Sequence, residues 1–251
     1  MGPKLLFIDI ETSPILMTSW SQRPPYAGAV YILRDTYILM ASWKWGHEKS
    51  VKTAALPDFP VYKRNRHDDS ALCRTLRDLL DRADIVVAHN GDAFDIKKIN
   101  SRLITNGFKP PSPFKTIDTL KAAGRAFKFD SNKLDNIGRY LDEGRKIPNT
   151  GAALWRGCVE DGDPKSWRIM RRYCKQDTEL LARVYERIKP WMPNHPNMNL
   201  YSAYRDRPPG IPCPTCESTN TQRRGVQVKV NTRRHRFHCQ ECGSWFSGKP
   251  V

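Results

Sequence analysis

Phe7-Ile8-Asp9-Ile10-Glu11-Thr12 is the stretch on which the reading of this chain turns. It ends an apolar run over residues 4–11 that predicts a buried strand, hydrophobic on both faces until the acids appear. Asp9 and Glu11 stand two residues apart, so on a strand they project from one face. Carboxylates at the end of an apolar strand are costly unless solvated, paired or bound to a cation. The plainer alternative is that they mark an exposed strand end.

Working outward, residues 37–45 and 50–56 read as second and third strands, and residues 70–82 carry leucines at helical spacing. Ile85-Val86-Val87-Ala88 is a short apolar strand running into His89-Asn90-Gly91. A helix over 94–104 stops near Asn106-Gly107, and Pro110, Pro111 and Pro113 mark a loop. A strand over 115–118, helices over 120–127 and 133–141, and a long helix over 165–188 complete the pattern. Strands first, then strands alternating with helices, predict an α/β sheet with a mixed edge.

Two further acids sit where an acid needs a reason. Asp95 falls at the start of a helix beside the end of its strand, where stabilisation by the helix dipole is the ordinary explanation. Asp92, by contrast, occupies a natural N-cap position. Asp177 lies inside the apolar stripe of the last helix (Met170, Tyr173, Cys174, Leu181, Val184), one turn after Tyr173. A core-facing carboxylate calls for a partner, either an arginine or a divalent metal shared with other acids. Tyr173 reads as a core aromatic unless it serves Asp177. Asp118 fits either a supporting role behind these acids or an N-cap before Leu120.

The chain of 251 residues has 42 Lys+Arg against 26 Asp+Glu, a formal charge of +16. That excess points to a polyanionic partner. With no apolar run of about 18 residues and no signal-peptide pattern, the expectation is nucleic acid rather than membrane, in a cytoplasmic protein. Of seven cysteines, Cys73, Cys158 and Cys174 are scattered, whereas Cys213-Pro214-Thr215-Cys216 and Cys239-Gln240-Glu241-Cys242 form two Cys-x-x-Cys knuckles 22 residues apart. This spacing predicts one structural Zn²⁺ in a ribbon too small to fold without a staple; a redox pair would lack its βαβ context. Between the knuckles, Arg223, Arg224, Lys229, Arg233, Arg234 and Arg236 flank alternating valines, a basic hairpin suited to phosphates. Phe237, Trp245 and Phe246 fit equally a small core or stacking on unpaired bases. Residues 194–211, rich in Pro and Asn, read as a linker between a domain over 1–193 and the ribbon over 212–251.

Taken in order, these residues carry a family resemblance. Phe7-Ile8-Asp9-Ile10-Glu11-Thr12 resembles the first motif of the DEDD exonucleases. His89-Asn90-Gly91-Asp92-Ala93-Phe94-Asp95 resembles the second, in the form found in family B polymerase proofreading domains. Tyr173-Cys174-Lys175-Gln176-Asp177 resembles the third, in the Tyr-x-x-x-Asp form of the DEDDy branch. Lys133-Leu134-Asp135-Asn136-Ile137 is similar to a segment those domains carry between the second and third. The whole chain is similar to stand-alone phage and bacterial RNase H-like exonucleases ending in a zinc ribbon, with no room for a polymerase domain.

The resemblance implies an RNase H-like mixed five-stranded sheet flanked by helices, and 3′–5′ removal of nucleotides from DNA ends. It implies two Mg²⁺ or Mn²⁺ held by Asp9, Glu11, Asp95 and Asp177, and Tyr173 orienting the attacking water, since a phenol with a pKa near 10 is a poor base at neutral pH. Thr12, Asn90 and Phe94 would touch the terminal nucleotide, with Arg233, Arg234 and Arg236 gripping the strand; Phe94 could equally be core. Implied partners are single-stranded DNA or DNA 3′ ends and, in replication or repair, a separate polymerase or replication protein, in a bacterial or phage-infected cell. Nothing in the residues reads a 2′-hydroxyl. RNA therefore stays open as substrate, and so does a non-catalytic nucleic-acid-binding module in which the ribbon does the binding.

Overall fold

The computed structural model describes residues 2–21, 30–147, 151–201 and 211–250, without the side chains of Lys229, Lys249 and Pro250; residues 202–210 of the expected linker lie outside the described residues. In chain order the first domain comprises β1 (Leu5–Thr12), β2 (Leu16–Thr18), β3 (Tyr31–Arg34), β4 (Ile38–Trp45), β5 (Lys52–Ala55), α1 (Ser70–Arg82), β6 (Ile85–Ala88), α2 (Asp95–Thr105), β7 (Lys115–Asp118), α3 (Thr119–Ala126), α4 (Leu134–Tyr140), α5 (Ala152–Arg156) and α6 (Pro164–Ile188). β8 (Thr221–Lys229), β9 (Thr232–Cys239) and β10 (Trp245–Pro250) form the ribbon.

The main sheet has the order β5-β4-β1-β6-β7. β4 pairs antiparallel with β1 and β5, while β6 pairs parallel with β1 and β7. This is the five-stranded mixed sheet expected. β1 is central and covered on both faces, which is why its sequence is continuously apolar. Leu6, Ile8 and Ile10 pack with α1 and α2, whereas Phe7 packs with Ile85, Val87 and the second half of α6. Asp9 and Glu11 follow Phe7 on the face toward α6, two residues apart in the ladder opposite Ser42 and Met40. Ser42 donates through Oγ to the Cys174 carbonyl at 2.8 Å and meets Thr178 Oγ1 at 2.5 Å, locking α6 over the acids. α6 itself begins at an Asp163 cap with Pro164 in its first turn, and Gly107, at φ 73°, closes the turn after α2.

Three features depart from the expectations. β2 and β3 form a separate two-stranded ribbon within the connection from β1 to β4. After α5 the chain continues as a π-helical turn over Gly157–Asp161, as wide turns often do near functional sites. Asp92 does not cap α2: the capping position is Phe94, without a side-chain bond, and Asp92 instead pairs with Lys121 at 2.8 Å. The reason is that Asp118 takes over this loop. Its carboxylate accepts from the backbone N–H of Asn90 and Asp92 as well as from Leu120 and Lys121 of α3.

Residues 194–201 run back over the first domain. His195 bonds the Tyr185 hydroxyl at 2.8 Å, and Met198 is buried in the same cluster as Phe7 and Tyr185. The first knuckle joins there, the Met198 N–H donating to the Pro214 carbonyl at 2.8 Å. Ser244 Oγ of the second knuckle reaches the Pro190 carbonyl.

Candidate functional site

The acids converge at the end of β1. Asp95, the first residue of α2, is 3% exposed and accepts a hydrogen bond from the Ile10 N–H at 3.1 Å, so α2 is pinned to β1 between Asp9 and Glu11. The preceding turn is tight: Asn90 sits at φ 65°, and a Cβ on Gly91 would collide with that of Ala88. Asp177 is 2% exposed on α6 and salt-bridges Lys146 Nζ at 2.6 Å. Asp9 and Glu11 each bring a carboxylate oxygen within 4.8 Å of Cys174 Sγ, which donates to Asp9 Oδ2 at 3.3 Å.

Burial before all else raises the pKa of all four carboxyl groups. Burial pushes Asp9 well above the usual range, helped by Asp95, Glu11 and Asp177. Burial, then Asp177, takes Glu11 to about 8, and burial takes Asp95 to about 7. Asp177 is raised by burial despite Lys146. For Lys146, the acids outweigh a burial penalty and hold the ammonium charged. Tyr173 is half-buried, with Lys146 Nζ 3.4 Å from its hydroxyl and Trp155 edge-on to its ring. Burial and Asp177 push its phenol up to about 12, which removes it as a base near neutrality.

The residues present fit a hard divalent cation. Four carboxylates, Asp95 and Asp177 buried and Asp9 and Glu11 half-buried, gather near a single lysine, and Asp177 Oδ1 is buried with no hydrogen-bond partner. Such an arrangement of oxygen donors suits Mg²⁺ or Mn²⁺. Around it, Thr12 accepts through its carbonyl from Trp155 Nε1 at 3.0 Å. Phe94 is exposed, not core, and Asn90 is half-buried. Asp118 proves to be both an N-cap and the brace of the second-motif loop.

Lys146 and Trp155 carried no sequence signal. Lys146 is one of 42 basic residues and lies in a loop without periodicity; only folding brings it to Asp177.

In the ribbon, all four cysteine sulfurs lie within 4.8 Å of one another, Cys213–Cys242 at 3.7 Å and Cys216–Cys239 at 3.6 Å. These gaps are too long for disulfides and close to the edge of a tetrahedron with bonds of about 2.3 Å, roughly 3.8 Å. Thiolates so placed fit Zn²⁺. Phe237 and Phe246 stack as the small core, whereas Trp245 is 54% exposed, stacked on His238 with Arg236 over its ring. The three arginines do not form one patch. Strand alternation sets Arg234 and Arg236 on the Trp245 face and Arg233 on the other. Arg234 and Arg236 also bond the carbonyls of Gly248 and Arg224.

Comparison with known proteins agrees with this architecture. Residues 6–189 match the family RNase_H_2 of the RNase_H superfamily, and the chain belongs to that superfamily. In fold it is similar to the family B DNA polymerase of the hyperthermophilic archaeon Pyrobaculum calidifontis, with a TM-score of 0.55 and 15% identity. The likeness covers 75% of this chain and 25% of the polymerase. No curated protein matches it in sequence. Among the described residues, no helix is long and apolar enough to cross a membrane.

Proposed function

We propose that this chain is a divalent-metal-dependent exonuclease of the DEDDy type, removing nucleotides from the 3′ ends of DNA. The observation that carries the reading is the gathering of Asp9, Glu11, Asp95 and Asp177 at the end of β1, with an orphaned buried oxygen on Asp177. A nucleic-acid-binding module has no use for acids gathered where burial opposes their charge. Asp9, Glu11, Asp95 and Asp177 would hold two Mg²⁺ or Mn²⁺, which supply an acidified water and charge neutralisation at the scissile phosphate.

The protein's own groups do the rest. Tyr173, protonated throughout the physiological range, donates its hydroxyl proton to orient the nucleophile rather than accepting one. Lys146 keeps a positive charge between Tyr173 and Asp177, where phosphoryl charge builds. Asp95 is aimed by the Ile10 N–H, and the Asn90 loop is held in shape by Asp118. Asn90, Phe94 and Thr12 line the approach of the terminal nucleotide. The +16 charge and the Arg234–Arg236–Trp245 face of the zinc-stapled ribbon favour a polyanionic strand. A separate polymerase or replication protein remains the partner this reading anticipates.

The test is a time course on 5′-labelled single-stranded DNA, duplex DNA and RNA with Mg²⁺, Mn²⁺ or EDTA. A metal-dependent ladder shortening from the 3′ end of DNA is expected. Release of the 5′-terminal label as a mononucleotide, or degradation undiminished by EDTA, would overturn the assignment.

A further inference from the structure

The ribbon made by β2 and β3 breaks the rule that apolar side chains are buried. Eight of the eighteen large exposed hydrophobics among the described residues fall between Ile15 and Leu33, including Leu16 (40%), Met17 (41%), Ile32 (50%), Tyr31 (60%) and Trp20 (92%). Both faces are apolar: Met17 opposes Ile32 on one, and Leu16 and Tyr31 lie on the other. A two-stranded ribbon has little stability of its own, and exposed apolar surface of this density marks an interaction site.

Its position supplies the occupant. The ribbon leaves β1 directly after Thr12, one residue beyond Glu11, so Leu16 lies at most about 14 Å from the end of the acid strand. Its foot is held on several sides. The Ser13 N–H donates to the Tyr37 carbonyl at 2.9 Å, and the Tyr37 N–H returns to Ser13 Oγ at 3.0 Å. Arg34 bonds Glu160 of the π-helical turn at 2.6 Å and also His67. Lys98 of α2 reaches Thr36 at 3.0 Å. These clasps fix the root of the ribbon beside the end of β1, against α2 and the π-helical turn. A strand of about 3.4 Å per nucleotide would meet the ribbon within its last four or so residues.

We propose that the β2–β3 ribbon is a base-contact surface, on which the bases of an unpaired nucleic-acid strand lie while its 3′ end enters the acid cluster. This rests on the exonuclease reading and adds the part of the substrate recognised: base faces rather than phosphates. Stacking on Trp20 and Tyr31 would be sequence-tolerant, since every base offers a π-face.

The experiment compares the full-length chain with Trp20→Ala/Tyr31→Ala and with the conservative Trp20→Phe/Tyr31→Phe. Each is assayed on a single-stranded oligonucleotide and on the same oligonucleotide with abasic residues at positions two to five from the 3′ end. Expected is a KM raised about fivefold or more by the alanine pair on the normal strand, with kcat little changed and the phenylalanine pair near wild type. On the abasic strand, wild type should fall to the level of the alanine pair and the substitutions should cost nothing further. An equal KM on the normal strand overturns the proposal. So does a loss that persists undiminished on the abasic strand, or a wild-type dimer in sedimentation that the alanine pair dissociates. If wild type degrades neither strand with any metal, the exonuclease reading itself fails, a result distinct from these.

Discussion

The acid cluster and the cysteine cluster are both groups of like ligands brought within a few ångströms, yet they relate to the fold in opposite ways. Around the acids, the domain has a five-stranded sheet and two apolar layers, and it carries its own counter-charge in Lys146. The site is a strain the fold tolerates. Around the cysteines, little more than Phe237 and Phe246 serves as a core, and the sulfurs themselves join the two knuckles. There the site is the fold. Removing a ligand should therefore damage chemistry in the first region and structure in the second.

The sharpest way to break this contrast is Asp9→Ala or Asp177→Ala. Both should lower nuclease activity by roughly 10³-fold or more; Asp9→Ala should leave the melting temperature equal to or above wild type, since it removes a repelled acid, whereas Asp177→Ala should lower it, since it leaves Lys146 unpaired. Activity within tenfold of wild type, measured on purified protein, would remove the acids from the chemistry. In the second region, Cys213→Ser should abolish the single bound zinc measured by mass spectrometry. It should also collapse the dispersed ribbon resonances, while a short oligonucleotide is still degraded. A zinc-free ribbon with intact resonances would show that the small core suffices.

Tyr173→Phe keeps the ring against Trp155 and deletes only the hydroxyl. A loss of about 10–100-fold with an unchanged pH profile is expected. If an ionisation near Tyr173's own pKa of about 12 governed the rate and vanished in the variant, the phenol would act as a base after all. Lys146→Gln should lower the melting temperature in EDTA by about 4–8 °C, roughly 2 kcal/mol, and by little once Mg²⁺ is present. The metal-free protein should also lose stability as pH rises. Glu11 and Asp95 have folded pKa values of about 8 and 7, above their unfolded values, so between about pH 5 and 8 the native state holds the extra protons. Each group costs up to about 1.4 kcal/mol per pH unit there. A flat metal-free profile across that window would mean the acids are not crowded in solution. The smallest effect concerns the ribbon face: Arg234→Ala and Arg236→Ala should each flatten the slope of log affinity against log salt by about 0.7–0.9, and Arg233→Ala on the other face should not. Equal slopes for all three would dissolve the distinction between the faces.

Much of the framework was legible because it rests on local rules. The apolar run of β1, the spacing of α1 and the all-apolar β6 follow from periodicity and burial, and Asp177 stood out as an acid in an apolar stripe. What escaped depends on partners distant in sequence. Asp92 looks like a cap until Asp118, 26 residues on, takes the loop's N–H groups and Lys121 draws Asp92 outward. The β2–β3 ribbon is apolar on both faces and has no period to betray it. Lys146 reaches Asp177 across 31 residues from an unpatterned loop.

The cysteine knuckles dock at Pro190 and Met198, beyond the end of α6, whereas Asp177 lies on its middle turns. Pro190 lies thirteen positions beyond Asp177, about 20 Å at the helical rise. A descendant could therefore exchange its ribbon for another tail, or lose it, without moving a single residue of the acid cluster. The acid cluster and the ribbon can drift at separate rates in one lineage, joined by the few contacts beyond the end of α6.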